Sequence, residues 1–216
     1  MKIIHTSDWH LGQNFFEYDR RDEHCSMVNQ LVDLVKCEKP DALVIAGDIY
    51  DIPAPGISVQ KEFAEYMVAL HTGCPHMKII CISGNHDSAS RLEISSTIWA
   101  HLNVHIIGRI ERNQKGEIDF RRHIIPIQDK GYIVALPHVF PQNYPLLEEN
   151  TPREKRQTAF LQAMDKQVKD INTEKKPIVV AAHMAISGSD TEGHDLVRGN
   201  MDFVDADKLN IDFDYL

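Results

Sequence analysis

Ala42-Leu43-Val44-Ile45-Ala46-Gly47-Asp48 is the stretch that decides the fold. Five apolar residues run without alternation into a glycine and an aspartate. An unbroken run of that length is the pattern of a strand covered on both faces, as in a parallel sheet packed under helices. Working outward, the same punctuation recurs. Residues 2–6 read as a strand ahead of Ser7-Asp8-Trp9-His10, and residues 78–83 as one ahead of Gly84-Asn85-His86-Asp87. Ile178–Ala182, after Pro177, reads as one ahead of His183. Between them lie helical periods. Residues 22–36 place Met27, Val28, Leu31, Leu34 and Val35 on one face. Val59, Phe63, Met67 and Leu70 form a second stripe, and residues 90–102 a third helix with Leu92 and Trp99 inward. A fourth strand is expected at 104–108. Strand–helix–strand repetition at this spacing predicts an α/β sheet with parallel neighbours.

Beyond residue 108 the pattern loosens. Residues 109–122 hold Arg109, Arg112, Lys115, Arg121 and Arg122 around a turn at Lys115-Gly116. These are solvated turn charges or a track for a phosphate backbone, and no aromatic residue interleaves with them for base stacking. Residues 123–127 and Tyr132–Leu136 predict a hairpin around Asp129-Lys130-Gly131. Thr151-Pro152-Arg153-Glu154 combines a capping box with proline at the first helical position, opening a helix with Phe160, Leu161, Met164, Val168 and Ile171 on one face.

Composition narrows the function classes. Among 216 residues, 23 Lys and Arg stand against 32 Asp and Glu, a net charge of −9. That excludes a chain gripping nucleic acid or anionic lipid over its whole surface, and leaves room for a local basic groove. Cys25, Cys37, Cys74 and Cys81 form no CxxC pair, so zinc-ribbon and thioredoxin-type motifs are excluded and free, mostly buried thiols are expected. No apolar run approaches the ~18 residues of a membrane span, and residues 1–8 have no secretory apolar stretch. A soluble, cytoplasmic protein is expected.

Four polar clusters each follow a predicted strand, and the C-terminal rim of an α/β sheet is where ligands bind. In an extended segment Asp8 and His10 point the same way and grip one ion, with Trp9 turned elsewhere. Asp48 has two oxygens and bridges two ions, Asn85 offers an amide oxygen, and His183 an imidazole nitrogen. An O/N donor set without thiolate suits manganese, iron or zinc. Two such ions ~3.5–4 Å apart polarise a phosphoryl group and activate water. His86 is placed to donate a proton or hydrogen bond to the scissile phosphate, oriented by Asp87.

Asp-x-His, Gly-Asp, Gly-Asn-His-Asp and a later strand-terminal His, in that order, resemble the calcineurin-like metallophosphoesterases. More narrowly, His5-Thr6-Ser7-Asp8-Trp9-His10-Leu11-Gly12-Gln13, with Ala46-Gly47-Asp48-Ile49-Tyr50-Asp51 and Ser83-Gly84-Asn85-His86-Asp87-Ser88, is similar to the SbcD-type nuclease subunits over residues 1–102 and again at His183. The resemblance implies a layered α/β sandwich of mixed β-sheets flanked by helices. It implies one domain over 1–216, incomplete at the C-terminus: the family's Gly-His-x-His motif, capping region and ATPase-binding segment are not found. It assigns Asp8, His10 and Asp48 to one metal, Asp48, Asn85 and His183 to the other, and His86 to catalysis. It further implies manganese as the metal (magnesium, iron or zinc otherwise), DNA as substrate, an SbcC-like SMC-type ATPase through which alone ATP acts, and a homodimer, with no membrane. The activity implied is double-strand exonuclease and hairpin endonuclease, serving DNA repair, recombination and replication.

Two rivals stand beside it. One is a phosphatase or small-molecule phosphodiesterase of the same fold, although Ile52 and Pro53 follow Asp51 where Ser/Thr phosphatases carry a phosphate-gripping Arg. The other is a metal-poor, inactive scaffold. Among single residues, Asp51 is expected as a loop cap, or as a carboxylate behind the metals or on the DNA side, His5 as a buried histidine, and His24 on a solvated face with Arg20 and Arg21, or else as a phosphate contact. Trp9 and Trp99 belong to the core. Phe15, Phe16 and Tyr18 are candidates for a DNA-end contact or a packed lid, and His194 lies in the loop after His183.

Overall fold

Residues 1–145, 147–148, 150–186, 203–204 and 213–215 are described by a computed structural model, in two units, Met1–Gly108 and Arg109–Leu216. In the first, β1 (Ile3–Thr6) leads to a short antiparallel hairpin, β2 (Asn14–Phe15) with β3 (Tyr18–Asp19). Then come α1 (Arg21–Glu38), β4 (Ala42–Ala46), α2 (Ile57–Gly73) and β5 (Lys78–Ile82). α3 (Ala89–Leu92), a 3₁₀ turn Glu93–Ser95, α4 (Ser96–Ala100) and β6 (Val104–Ile107) complete the unit. β1, β4, β5 and β6 form one parallel sheet in the order β1-β4-β5-β6. β4 is buried along its whole length, as its unbroken apolar run requires.

The helices bury the stripes that their 3.6-residue period offers. Val28, Val32 and Val35 of α1 and Phe63, Met67 and Leu70 of α2 pack in one core with Leu43, Ile45, Ile79 and Cys81. Each fully buried side chain of this size contributes ~1.5–3 kcal/mol of transfer free energy. α1 departs from expectation at Leu34, 44% exposed, because Val32 fills the inward position. It ends where Lys39 turns left-handed (φ 46°) and its N–H returns to the Val35 carbonyl.

The helix expected at 90–102 is broken. Glu93 points inward, and its Oε1 accepts the buried Gly108 N–H at 2.8 Å. That interior acceptor coincides with the tightened 3₁₀ turn and leaves Ile94 and Ile98 exposed. His5 is exposed rather than buried, since it faces outward on the sheet's first strand. His24 is buried rather than solvated, sitting on the α1 face that meets α2. Burial lowers its pKa, and Arg20 adds to the effect. Cys74 and Cys81 are buried as expected; Cys25 and Cys37 are exposed.

In the second unit, β7 (Glu111–Arg112) pairs with β8 (Ile118–Asp119) around the Lys115-Gly116 turn. β9 (Ile124–Pro126) pairs antiparallel with β10 (Tyr132–Leu136), closed by Ile127 N–H to the Gly131 carbonyl at 2.8 Å. After α5 (Arg153–Ile171), β11 (Ile178–Ala182) runs parallel to β10. β12 (Ala185–Ile186) pairs with β13 (Phe203–Val204). Phe160, Leu161, Met164 and Val168 of α5 pack with Phe120, Val134 and Leu136, whereas Ile171, at the helix end, is 37% exposed. The expected capping box at Thr151 does not form. Pro152 occupies the cap position, and the Thr151 hydroxyl donates to the Glu148 carbonyl at 2.7 Å.

Candidate metal centre

Parallel strands deliver their C-terminal ends to one rim, so the loops after β1, β4 and β5 are neighbours. The first two continue to pair beyond the strands: Asp8 N–H reaches the Gly47 carbonyl at 3.1 Å, His10 N–H the Asp48 carbonyl at 2.9 Å, and Leu11 N–H that of Ile49 at 2.9 Å. The extended Asp8-Trp9-His10 segment expected from the sequence is not what the chain adopts. Asp8 (φ 54°) and His10 (φ 47°) are both left-handed, and Trp9 between them is driven into the core, its Nε1–H on Thr6 Oγ1 at 3.0 Å. Left-handed backbone at a non-glycine residue costs ~1–3 kcal/mol and collects at functional sites. Asp48 is a third such residue (φ 46°), after Gly47 at φ 93°.

Asp48 is buried and is held on both sides. His86 N–H donates to its Oδ1 at 3.0 Å. Gly84 lets the two loops meet: a Cβ there would stand 1.9 Å from Asp48 Oδ1 and 2.3 Å from its amide nitrogen. The other oxygen, Oδ2, faces two imidazoles, His10 Nε2 at 3.8 Å and His86 Nε2 at 4.0 Å. Asp8 Oδ1 lies 3.9 Å from the same His10 nitrogen. Ligand atoms of His10, Asp48 and His86 all lie within 4.8 Å of one another. The rings of His10 and His86 meet edge-on at 4.9 Å. His86 Nδ1 sits 2.9 Å from the Asp51 carbonyl, which only accepts, so Nδ1 carries the proton and Nε2 is left as a lone-pair donor. Oxygen and imidazole nitrogen without thiolate, around a buried carboxylate, fit a divalent ion such as manganese, iron or zinc. The sequence set His86 apart from the metal ligands; the geometry puts its Nε2 in the same cluster as theirs.

Asp87 departs from its expected place behind His86. Its carboxylate is buried and accepts three backbone N–H groups, from Ile49 at 3.1 Å, Tyr50 at 2.9 Å and Gly84 at 2.9 Å. Burial raises its pKa against the pull of those donors, and Asp48 nearby adds to the rise. Asp87 thus stitches the β4 loop to the β5 loop, while the Asp51 carbonyl orients His86. Asn85, half-buried between Gly84 and His86, shares that loop. In the second unit His183 stands just past β11, buried, with its N–H on the Leu136 carbonyl at 3.2 Å and its ring 6.2 Å from that of His138. The sequence reading passed over His138. It is buried two residues beyond β10, so the strand-end rule that found the others would have found it. His194 lies outside the described residues.

Three arginines of residues 109–122 have partners within the second unit. Arg112 donates to the carbonyls of Gly116, Asn143 and Tyr144, Arg121 pairs with Asp119, and Arg122 with Glu111. Phe15, Phe16 and Tyr18 on the β2–β3 hairpin are 65%, 89% and 57% exposed, which removes the packed-lid alternative within this unit.

Residues 1–213 match the family model described as calcineurin-like phosphoesterase. The SbcD subunit of the SbcCD nuclease from Rhodobacter capsulatus is 34% identical over 173 residues, covering 76% of this chain and 42% of the relative. The SbcD subunits from Escherichia coli K12 and Bacillus subtilis are 37% and 36% identical over 108 residues, covering 50% of this chain and 26% and 27% of the relatives. The chain thus spans less than half the length of these relatives.

Proposed function

Since this chain belongs to the calcineurin-like phosphoesterases, we propose that it is a metal-dependent phosphodiester hydrolase that cuts DNA, with two divalent ions, manganese foremost, at the rim of the parallel sheet. The observation that carries this is Asp48: a buried carboxylate, one oxygen fixed by the His86 amide, the other facing His10 and His86 Nε2. Asp8, His10 and Asp48 would hold one ion, and Asp48, Asn85 and His183 the other, in the order of the family's motifs. When bound, the ions polarise the phosphoryl group and lower the pKa of water.

The chain's own residues do the rest. Asp48 is prepositioned by a backbone donor, so its other oxygen would meet the ions without reorganisation. His86, with Nδ1–H on the Asp51 carbonyl, keeps Nε2 toward the reacting phosphate and, when protonated there, donates to the leaving oxygen. Asp87 holds both loops in register from beneath. DNA as substrate is favoured because the relatives are nucleases, and their being subunits supports an SMC-type ATPase partner and a role in DNA repair and recombination.

The test is manganese-dependent cleavage of a DNA hairpin beside an aryl phosphodiester, with Asp48→Asn and His86→Gln as controls. Cleavage of the hairpin, abolished in Asp48→Asn and reduced ~10²–10⁴-fold in His86→Gln, is the expected result. Hydrolysis of the small ester with DNA untouched would move the substrate to a small phosphoester. No cleavage of either, with manganese bound, would overturn the enzyme.

A further inference from the structure

His10 presents two nitrogens to three carboxylates. Nε2 lies 3.8 Å from Asp48 Oδ2 and 3.9 Å from Asp8 Oδ1, whereas Nδ1, buried and outside hydrogen-bond alignment, has Asp51 Oδ1 nearer, at 3.4 Å. A neutral imidazole has one N–H to place, and an ionised carboxylate can only accept. Asp51, the nearest of the three carboxylates, favours by its charge the tautomer with the proton on Nδ1, which leaves the Nε2 lone pair toward the metal position. The backbone carbonyl of the same residue does this for His86 at 2.9 Å.

Asp51 is itself held. Gln13 Nε2 donates to its Oδ1 at 3.3 Å, and Gln13 Oε1 accepts from Arg20 Nη1. The orientation of that amide is not arbitrary: a guanidinium only donates, so the oxygen must face Arg20 and the NH₂ must face Asp51. Arg20 is steadied in turn by Glu23, Nε to Oε2 at 2.7 Å, and its N–H meets the Gln13 carbonyl at 3.4 Å across the neck of the β2–β3 hairpin.

We propose that Gln13 and Asp51 are positioning residues that fix His10 in its Nδ1–H tautomer for metal ligation. The proposal rests on the metal-centre reading above. Groups of this kind behind a ligating histidine typically change metal affinity 10–100-fold when removed.

The test reads the tautomer and the metal separately from activity. Histidine ¹⁵N NMR of the metal-free protein should show His10 protonated at Nδ1, and manganese affinity is measured by electron paramagnetic resonance. Asp51→Ala should lose the tautomer preference and bind manganese ~10–100-fold more weakly, whereas Asp51→Asn, still an acceptor, should keep the tautomer. Gln13→Glu has the same shape and keeps the Arg20 contact, yet cannot donate to Asp51. It should weaken manganese about tenfold with the circular dichroism unchanged, and it carries the test if Asp51→Ala does not fold. An unchanged tautomer and affinity in Gln13→Glu and Asp51→Ala would overturn the positioning role. Asp48→Asn separates the two ideas. Lost manganese binding there, beside unchanged Gln13→Glu, defeats only the positioning proposal, and retained binding defeats the metal centre itself.

Discussion

Asp48 has one carboxylate oxygen on a backbone donor and one open to two imidazoles, and Gly84 is what lets that arrangement close. Gly84→Ala would drive a methyl into the Asp48 amide as well as its side chain, and no rotamer change relieves a backbone clash. We expect a loss of ~1–3 kcal/mol in urea unfolding, together with weakened manganese binding. A neutral substitution at an exposed residue such as Phe16 should stay within ~0.5 kcal/mol. His105 offers a second prediction at this scale. Burial, helped by Lys78, lowers its pKa from 6.5 to about 4, and burial lowers that of His24 as well. A histidine whose folded pKa is depressed contributes its full stability above the unfolded value and loses it as pH falls. Unfolding free energy should therefore drop between pH 6.5 and about 4, and His105→Gln should flatten that slope in urea titrations at the two limits.

Elements follow their apolar periods until a side chain finds a better use for itself. α1 and α2 form as their stripes dictate, and Met67, fully buried between them and the sheet, is the place to test it. Met67→Ala should cost ~2–5 kcal/mol in the urea midpoint. The broken helix α3–α4 shows the opposite case. Its apolar period is readable, but Glu93 reaches the Gly108 amide, and no periodicity encodes a carboxylate drawn inward by a distant N–H. Asp87 belongs here too. A Gly-Asn-His-Asp motif suggests a His–Asp pair by adjacency, whereas three unpaired backbone donors from two loops claim the carboxylate first.

Over the whole molecule the two buried and two exposed thiols make a chain-wide check of the fold. Cys25 and Cys37 should react with a thiol reagent in the native state, and Cys74 and Cys81 only on unfolding, a difference that burial of Cys81 reinforces by raising its thiol pKa. Two fast and two slow reactions are expected; four fast ones would contradict the packing of both buried positions. No helix among the described residues is long and apolar enough to cross a membrane.

The sequence alone determined the parallel α/β arrangement, because Ala42–Ala46 and the residues after β1 and β5 carry their burial and their polar punctuation locally. It also located Asp8, His10, Asp48, Asn85, His86 and His183 at strand ends, since residue type and strand position are both local properties. The tertiary structure decided how the first-unit residues meet. The left-handed turns at Asp8, His10 and Asp48 are imposed by hydrogen bonds between loops some 40 residues apart in sequence. The Gln13–Asp51–His10 contacts depend on the same loop pairing. Which carboxylate faces which nitrogen is settled by which unpaired donor lies nearest in space, and that distance is written nowhere in the order of the residues.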